Sequence, residues 1–210
     1  SVLNVCDRYM KEPERILVSR DEIALPQISQ YYMVVDPKRK FEALTGVLDE
    51  HSVERAILFC RTRRDTSKLA RNLRAKGFDA EPLHGGLTQP QRDAVMESFR
   101  RGKLRILVAT DVAARGLDIV GVTHIINYDV PSEASVYFHR IGRTARMEAD
   151  GTAITLVSLE EMADLRQIKA LTKTKIQEMK SEYASLDVSP RTYDAVCHDC
   201  GSECEVPFKP

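Results

Sequence analysis

The sequence predicts one α/β domain, a parallel β-sheet with helices packed on both faces, and three observations predict it. Short continuous apolar runs recur, Ala56-Ile57-Leu58-Phe59-Cys60 and Arg105-Ile106-Leu107-Val108-Ala109-Thr110 being the clearest, as strands buried on both faces require. Segments of helical period separate these runs, and such alternation implies βαβ units in a three-layer arrangement. The chain of 210 residues is long enough to bury one full core with length to spare. We place the domain at 27–180, a leading segment at 1–26 and a tail at 181–210.

Taken in order, Val2 to Met10 has the character of a helix end, Pro13 breaks it, and Arg15-Ile16-Leu17-Val18-Ser19 suggests a short strand. This segment looks cut from a longer protein. Gln30 to Val35 is strand-like, and Pro37 to Glu50 is helical with Phe41, Leu44, Val47 and Leu48 on one face. After the strand ending at Cys60, Thr62 with Asp65 opens a helix in the manner of a capping box, and Gly77 stops it as a C-cap. A strand to Leu83 leads into His84-Gly85-Gly86. Thr88 and Gln91 then form a capping-box pair, with Pro90 tolerated in the first turn. Strands follow at 105–110, Val122 to Tyr128 and Thr152 to Ser158, and a final helix is expected from Leu159 to Met179. Beyond Lys180 the chain turns polar, with Pro190 in a linker-like stretch.

Composition narrows the function. The 31 Lys and Arg balance the 31 Asp and Glu, which excludes a constitutively polybasic nucleic-acid binder, so any anion recognition must be local. No apolar run approaches the ~20 residues of a membrane span, so no membrane partner is expected. Ser1 begins without a charged and apolar leader, so no signal peptide is read. Five cysteines, an odd count without a leader, fit the reduced thiols of a cytoplasmic protein.

The densest chemistry lies in His139-Arg140-Ile141-Gly142-Arg143-Thr144-Ala145-Arg146, after a Pro-started segment that reads as helix. His139, Arg143 and Arg146 are spaced to share one helical face, roughly 5–6 Å apart at Cβ. Two guanidinium forks so placed suit a polyphosphate or the charge on a transferring phosphoryl group; a solvated basic face is the alternative. In open α/β sheets ligands gather at the carboxyl ends of strands, where Thr62, His84-Gly85-Gly86 and Thr110-Asp111 fall. The glycine pair lets backbone amides approach an anion. A threonine at a helix start can donate to phosphate or act simply as a cap. Ala109 to Ile119 leaves a strand, makes barely a turn of helix, bends at Gly116 and delivers Asp118, which either accepts sugar hydroxyls or pairs with Arg115. There is no G-x-x-x-x-G-K-[ST] loop, and no strand ends in acidic residues placed for Mg²⁺. Phosphoryl-directed arginines without a nucleotide cradle point to the second half of a two-part machine.

These motifs together resemble the C-terminal RecA-like domain of DEAD-box ATP-dependent RNA helicases, over about Arg15 to Ile168. Leu58-Phe59-Cys60-Arg61-Thr62-Arg63-Arg64 resembles that family's motif IV. His84-Gly85-Gly86 with Gln89-Pro90-Gln91-Arg92 resembles its HG and Q-x-x-R elements, and Ala109 to Asp118 is similar to motif V almost letter for letter. Asn127-Tyr128-Asp129-Val130-Pro131 followed by Tyr137-Phe138-His139-Arg140-Ile141-Gly142-Arg143 resembles the approach to motif VI and motif VI itself. The resemblance implies a RecA-like, P-loop NTPase-type fold without its own P-loop. It implies Arg143 and Arg146 as arginine fingers on ATP and Mg²⁺ held mainly by a missing N-terminal RecA-like domain, with Gly116 and Asp118 on the ribose side. It implies Thr62, Gly85, Arg92 and Thr110 as RNA-backbone contacts, and Arg115 and His139 as residues coupling the two sites. The family usually has glycine where this chain has Ala145 and Glu148; Ala145 adds a methyl beside the fingers, and Glu148 and Asp150 add negative charge.

The tail Cys197-His198-Asp199-Cys200-Gly201-Ser202-Glu203-Cys204 contains a C-x-x-C knuckle, half of a zinc site. It resembles the first half of an archaeal-type zinc ribbon, with Cys197 and Cys200 as the expected ligands. Cys204 or His198 would complete the four-ligand set only with strain. The expected function is ATP-dependent local unwinding of RNA. The alternatives are an RNA-binding or partner-docking module without catalysis, and half of a DNA-directed helicase of the same superfamily.

Overall fold

In the computed structural model, residues 9, 28–51, 53–115, 119, 121–144, 151–172, 175–180, 193–196 and 203–206 are described. The expected strand at 15–19, the linker at 181–192, and Gly116, Asp118, Ala145, Arg146, Glu148, Asp150, Cys197 and Cys200 lie outside them.

Seven strands form one sheet: β1 (Ile28–Val34), β2 (Ala56–Phe59), β3 (Ala80–Leu83), β4 (Ile106–Ala109), β5 (His124–Asn127), β6 (Gly151–Val157) and β7 (Gln177–Glu178). Their order is β3-β4-β2-β5-β6-β1-β7, and every pairing is parallel. The helices are α1 (Lys40–Glu50), α2 (Arg63–Ala75), α3 (Gln89–Arg100), α4 (Asp111–Ala114), α5 (Ala134–Ile141) and α6 (Met162–Thr172). A separate antiparallel hairpin joins β8 (Tyr193–Val196) to β9 (Glu203–Val206).

The two cores follow from strand alternation, since successive side chains point to opposite faces. Ile57, Phe59, Leu107 and Ala109 face α3 to α6, through Phe99, Ala113, Tyr137, Ile141 and Leu165. Ala56, Leu58, Ile106 and Val108 face α1 and α2, through Leu44, Val47, Leu69 and Leu73. Both faces are therefore dry, which is why these strands read as unbroken apolar runs. Cys60 belongs to the second core; burial pushes its thiol well above the ordinary cysteine range, so it behaves as a small apolar residue.

The caps are where the residues placed them. Thr62 Oγ1 accepts the Asp65 N–H at 3.1 Å, and Gln91 accepts the Thr88 N–H at 2.9 Å. Asp65 is too short to reach back to the backbone, and its carboxylate instead accepts a hydrogen bond from the Thr62 hydroxyl at 2.6 Å.

Two expectations are corrected. The last helix ends at Thr172, not Met179, and Gln177–Glu178 is strand, paired with Tyr31 and Tyr32 of β1. The open side of β1 offers backbone groups that must be hydrogen-bonded, and Met179 N–H closes the pairing on Tyr32 O at 2.8 Å. The helix expected to carry Arg143 stops at Ile141. Gly142 is its C-cap, and Arg143 lies in the turn beyond, its N–H bonded to Arg140 O at 3.1 Å. Among the described residues, no helix is long and apolar enough to cross a membrane.

Candidate nucleotide and nucleic-acid interface

Four neighbouring strands end level. Leu83 pairs with Ala109, Ala109 with Phe59, and Phe59 with Asn127. The residues that follow each one, His84-Gly85-Gly86, Thr110-Asp111, Cys60-Arg61-Thr62 and Tyr128-Asp129, therefore emerge side by side. Register alone brings together motifs spread over dozens of positions.

The centre of this edge is Arg140, which is 3% exposed. Its guanidinium forks onto Asp111, Nε to Oδ1 at 2.6 Å and Nη2 to Oδ2 at 2.8 Å. Nη1 donates to Asn127 Oδ1 at 3.1 Å and to Asp129 O at 2.8 Å, and the plane lies 5.0 Å over the Phe59 ring. A planar five-donor group is the one side chain that can bind all these partners at once. In the sequence Arg140 reads as one more cation of a basic stretch. A signal was available: Tyr137, Arg140 and Ile141 stand at i, i+3 and i+4, and Tyr137 and Ile141 are wholly buried, so Arg140 shares their inward face.

Around it lie the residues assigned to the nucleotide side. Arg115, His139 and Arg143 line one small cleft with Asp111, Val136 and Arg140. Arg143 Nε donates to His139 O at 3.3 Å, so the one-turn relation between them survives the end of the helix. Val112, on the exposed side of α4, is 78% exposed.

The residues assigned to RNA lie on the β2, β3 and β4 side. Thr62 is the exposed N-cap of α2, Gly85 is exposed, Arg92 is half-buried on α3, and Thr110 is buried at the N-cap of α4. His84 sets the glycine turn. Its Nδ1 accepts the Gly86 N–H at 3.1 Å and its Nε2 lies 2.7 Å from Ser67 Oγ. A ring that accepts at Nδ1 is neutral and protonated at Nε2. Burial and the nearby Arg63 guanidinium lower its basicity in keeping with that. A Cβ on Gly86 would meet the His84 ring at 3.1 Å, whereas one on Gly85 meets nothing within 4 Å.

Beside this lies a second network, which the sequence reading did not identify. Glu161 accepts Lys40 Nζ at 2.6 Å, the Ser158 N–H at 3.0 Å and the Val130 N–H at 3.3 Å. Burial alone would raise its carboxyl, but Lys40 and Ser158 outweigh it and hold the group below the usual carboxylate range. Glu161, Lys40, Arg61 and Asp129 line a cleft of about 370 Å³ with Lys68 and Tyr128. Among the described residues, no group of three His, Cys, Asp or Glu is placed to hold a metal ion.

The parallel sheet with its polar residues gathered at the strand ends is a three-layer α/β fold of RecA-like type, and comparison with known proteins gives its class. The profile of the helicase conserved C-terminal domain matches residues 39–148, and that of a probable treble clef zinc finger matches 191–210, where a ribbon was expected. The chain is 46% identical over 179 residues to the DEAD-box ATP-dependent RNA helicase CshA of Geobacillus kaustophilus, covering 85% of this chain and 38% of that protein. With CshA of Bacillus subtilis the identity is 45%, over 85% of this chain and 36% of that one. Among solved structures, E. coli SrmB, bound to regulator of ribonuclease activity A, superposes with a TM-score of 0.73 at 34% identity, covering 77% of this chain and 95% of that one. A DEAD box protein of Methanococcus jannaschii superposes at 0.69 and 38% identity, covering 85% and 48%. S. cerevisiae Dbp5 bound to RNA and ADP BeF3 superposes at 0.77 and 28% identity, also covering 85% and 48%. The chain belongs to the helicase conserved C-terminal domain family, on its DEAD-box RNA helicase branch. It spans little more than a third of the length of its CshA relatives.

Proposed function

We propose that the chain works as the C-terminal half of an RNA-dependent ATPase that opens short RNA duplexes, closing against an N-terminal RecA-like domain of the same polypeptide. The observation that carries this is the Arg140 node, which fastens the strand ends bearing Thr62 and Thr110 to the turn bearing Arg143. Thr62, Gly85, Arg92 and Thr110 contact the RNA sugar-phosphate backbone, so binding is largely sequence-independent and salt-sensitive. Arg143 and Arg146 reach the γ-phosphate of ATP, which with its Mg²⁺ is held mainly by the N-terminal domain. Gly116 and Asp118 meet the ribose side, and Arg115 and His139 couple the two sites. ATP and RNA each bridge both domains, so each favours the closed form that the other binds. Hydrolysis removes the bridging phosphate and the cleft reopens. Dbp5, a relative bound to RNA and ADP BeF3, offers a ligand pair of the kind this scheme requires.

Domain boundaries follow the same scheme: 1–26 as linker from the preceding domain, 27–180 as the RecA-like unit and 181–210 as a linker and cysteine-rich tail. In that tail Cys197 and Cys200 keep the C-x-x-C spacing of a zinc knuckle, and a treble clef zinc finger profile matches 191–210. Those two would hold Zn²⁺, whose contribution is to fix the hairpin.

Steady-state ATPase assays on the full-length protein test the proposal. RNA should stimulate turnover, and Arg143→Ala should lower kcat by about 10³-fold or more. Equal stimulation by single-stranded DNA would favour the DNA-directed alternative. Measurable turnover by residues 1–210 alone would defeat the half-site scheme.

A further inference from the structure

Asp129 lies between the two halves of the proposed site and binds both with different atoms. Its carboxylate Oδ2 accepts the Arg61 N–H at 2.8 Å, and its own N–H donates to Phe59 O at 3.3 Å. Together these clamp the exit of β2, the short turn that ends at Thr62. Its carbonyl accepts Arg140 Nη1 at 2.8 Å. Arg140 in turn holds Asp111, adjacent to Thr110, and its carbonyl accepts the Arg143 N–H at 3.1 Å. Lys40 Nζ stands 3.8 Å from Oδ1, anchored by Glu161, which keeps the carboxylate from swinging away from Arg61. One residue thus connects the cap that carries Thr62 to the guanidinium that positions the Arg143 turn, through hydrogen bonds rather than loose packing.

We infer that Asp129 is a positioning residue for coupling: it ties the RNA-contacting exit of β2 to the nucleotide-facing arginine turn, so that the two move as one body when the cleft closes. The inference rests on the proposed RNA and ATP sites and adds what makes them one unit. Without the carboxylate, the backbone bonds of residue 129 to Phe59 and Arg140 remain, but Arg61 and the turn to Thr62 lose their side-chain tie to the Arg140 node, and the free-energy link between the sites weakens.

The test uses the full-length protein and the ratio of its affinities for single-stranded RNA with and without a non-hydrolysable ATP analogue. In Asp129→Ala that ratio should fall about tenfold towards one. Asp129→Asn keeps an oxygen for the Arg61 N–H and should restore most of it. Thermal melting of both variants separates this from a stability defect, because a merely structural residue lowers Tm without changing the ratio. A wild-type ratio retained in Asp129→Ala overturns the inference alone, as does loss of the ratio in both variants to the same extent. A ratio of one in the unaltered protein overturns the proposed function and this inference with it.

Discussion

Asp111→Ala should be the most informative single change on the carboxyl edge of the sheet. It removes both charge-assisted hydrogen bonds at 2.6 and 2.8 Å from a guanidinium that is 3% exposed. Breaking a fully buried ion pair by deleting one partner costs about 3–5 kcal/mol, because the remaining charge is left uncompensated. Two features reduce that here. The Asp111 side chain is 33% exposed, so water can enter, and Arg140 keeps Asn127 Oδ1, Asp129 O and the Phe59 ring. The expected loss is therefore about 2–3 kcal/mol. At about 2–4 °C per kcal/mol for a chain of this size, Tm falls by roughly 4–12 °C. Urea unfolding of residues 1–210 measures it, and the difference should change little between low and high salt, since a desolvated pair is poorly screened. A loss under about 0.5 kcal/mol, or one that vanishes with added salt, would mean that Arg140 and Asp111 form an ordinary surface bridge. Arg140 would then not be the buried anchor of the strand ends.

Three further outcomes are expected. Gly86→Ala forces a methyl to 3.1 Å from the His84 ring and should lower Tm, while Gly85→Ala has open space and should leave Tm alone but weaken RNA binding; equal Tm for both variants would count against the His84 contact. His84 is held less basic than an ordinary imidazole by burial and by Arg63. Its contribution to stability is therefore fully present above its unfolded value of about 6.5 and is lost as pH falls below that towards the folded value. Tm against pH should slope less steeply on this acid side in His84→Asn, with a remainder from His124, which burial shifts in the same direction; an unchanged slope refutes the assignment. Metal analysis of the full-length protein should find zinc that Cys197→Ser removes, and identical zinc content in the two proteins would dismiss the knuckle.

Much of the fold was legible because its strands are buried on both faces. Such strands must be apolar throughout, so each leaves a short unbroken run between polar segments, as Ala56 to Cys60 does. The caps at Thr62 and Thr88 were legible for a similar reason, since a helix start needs a side-chain acceptor within three residues. β7 was not. Gln177 and Glu178 carry no apolar signature, and their pairing depends on the unmatched backbone of β1, which sequence periodicity does not record. The end of α5 was half legible: Gly142 is a normal helix stop, but the spacing of His139, Arg143 and Arg146 suggested continuation.

The sequence by itself determined the layered class, the order of elements from β1 to α6 and the motifs whose resemblance pointed to a helicase half. Those properties reside in local composition and spacing. Only the tertiary structure decided which polar residues work together. Asp111, Asn127, Asp129 and Arg140 are separated along the chain and meet because strand register sets Phe59 level with Ala109 and Asn127. It also decided that Arg140 is the buried anchor and that Arg143, three residues later, lies on the cleft beside Arg115 and His139. The physical reason is burial: a guanidinium leaves water only where several acceptors already converge, and that convergence is a property of the packed sheet edge.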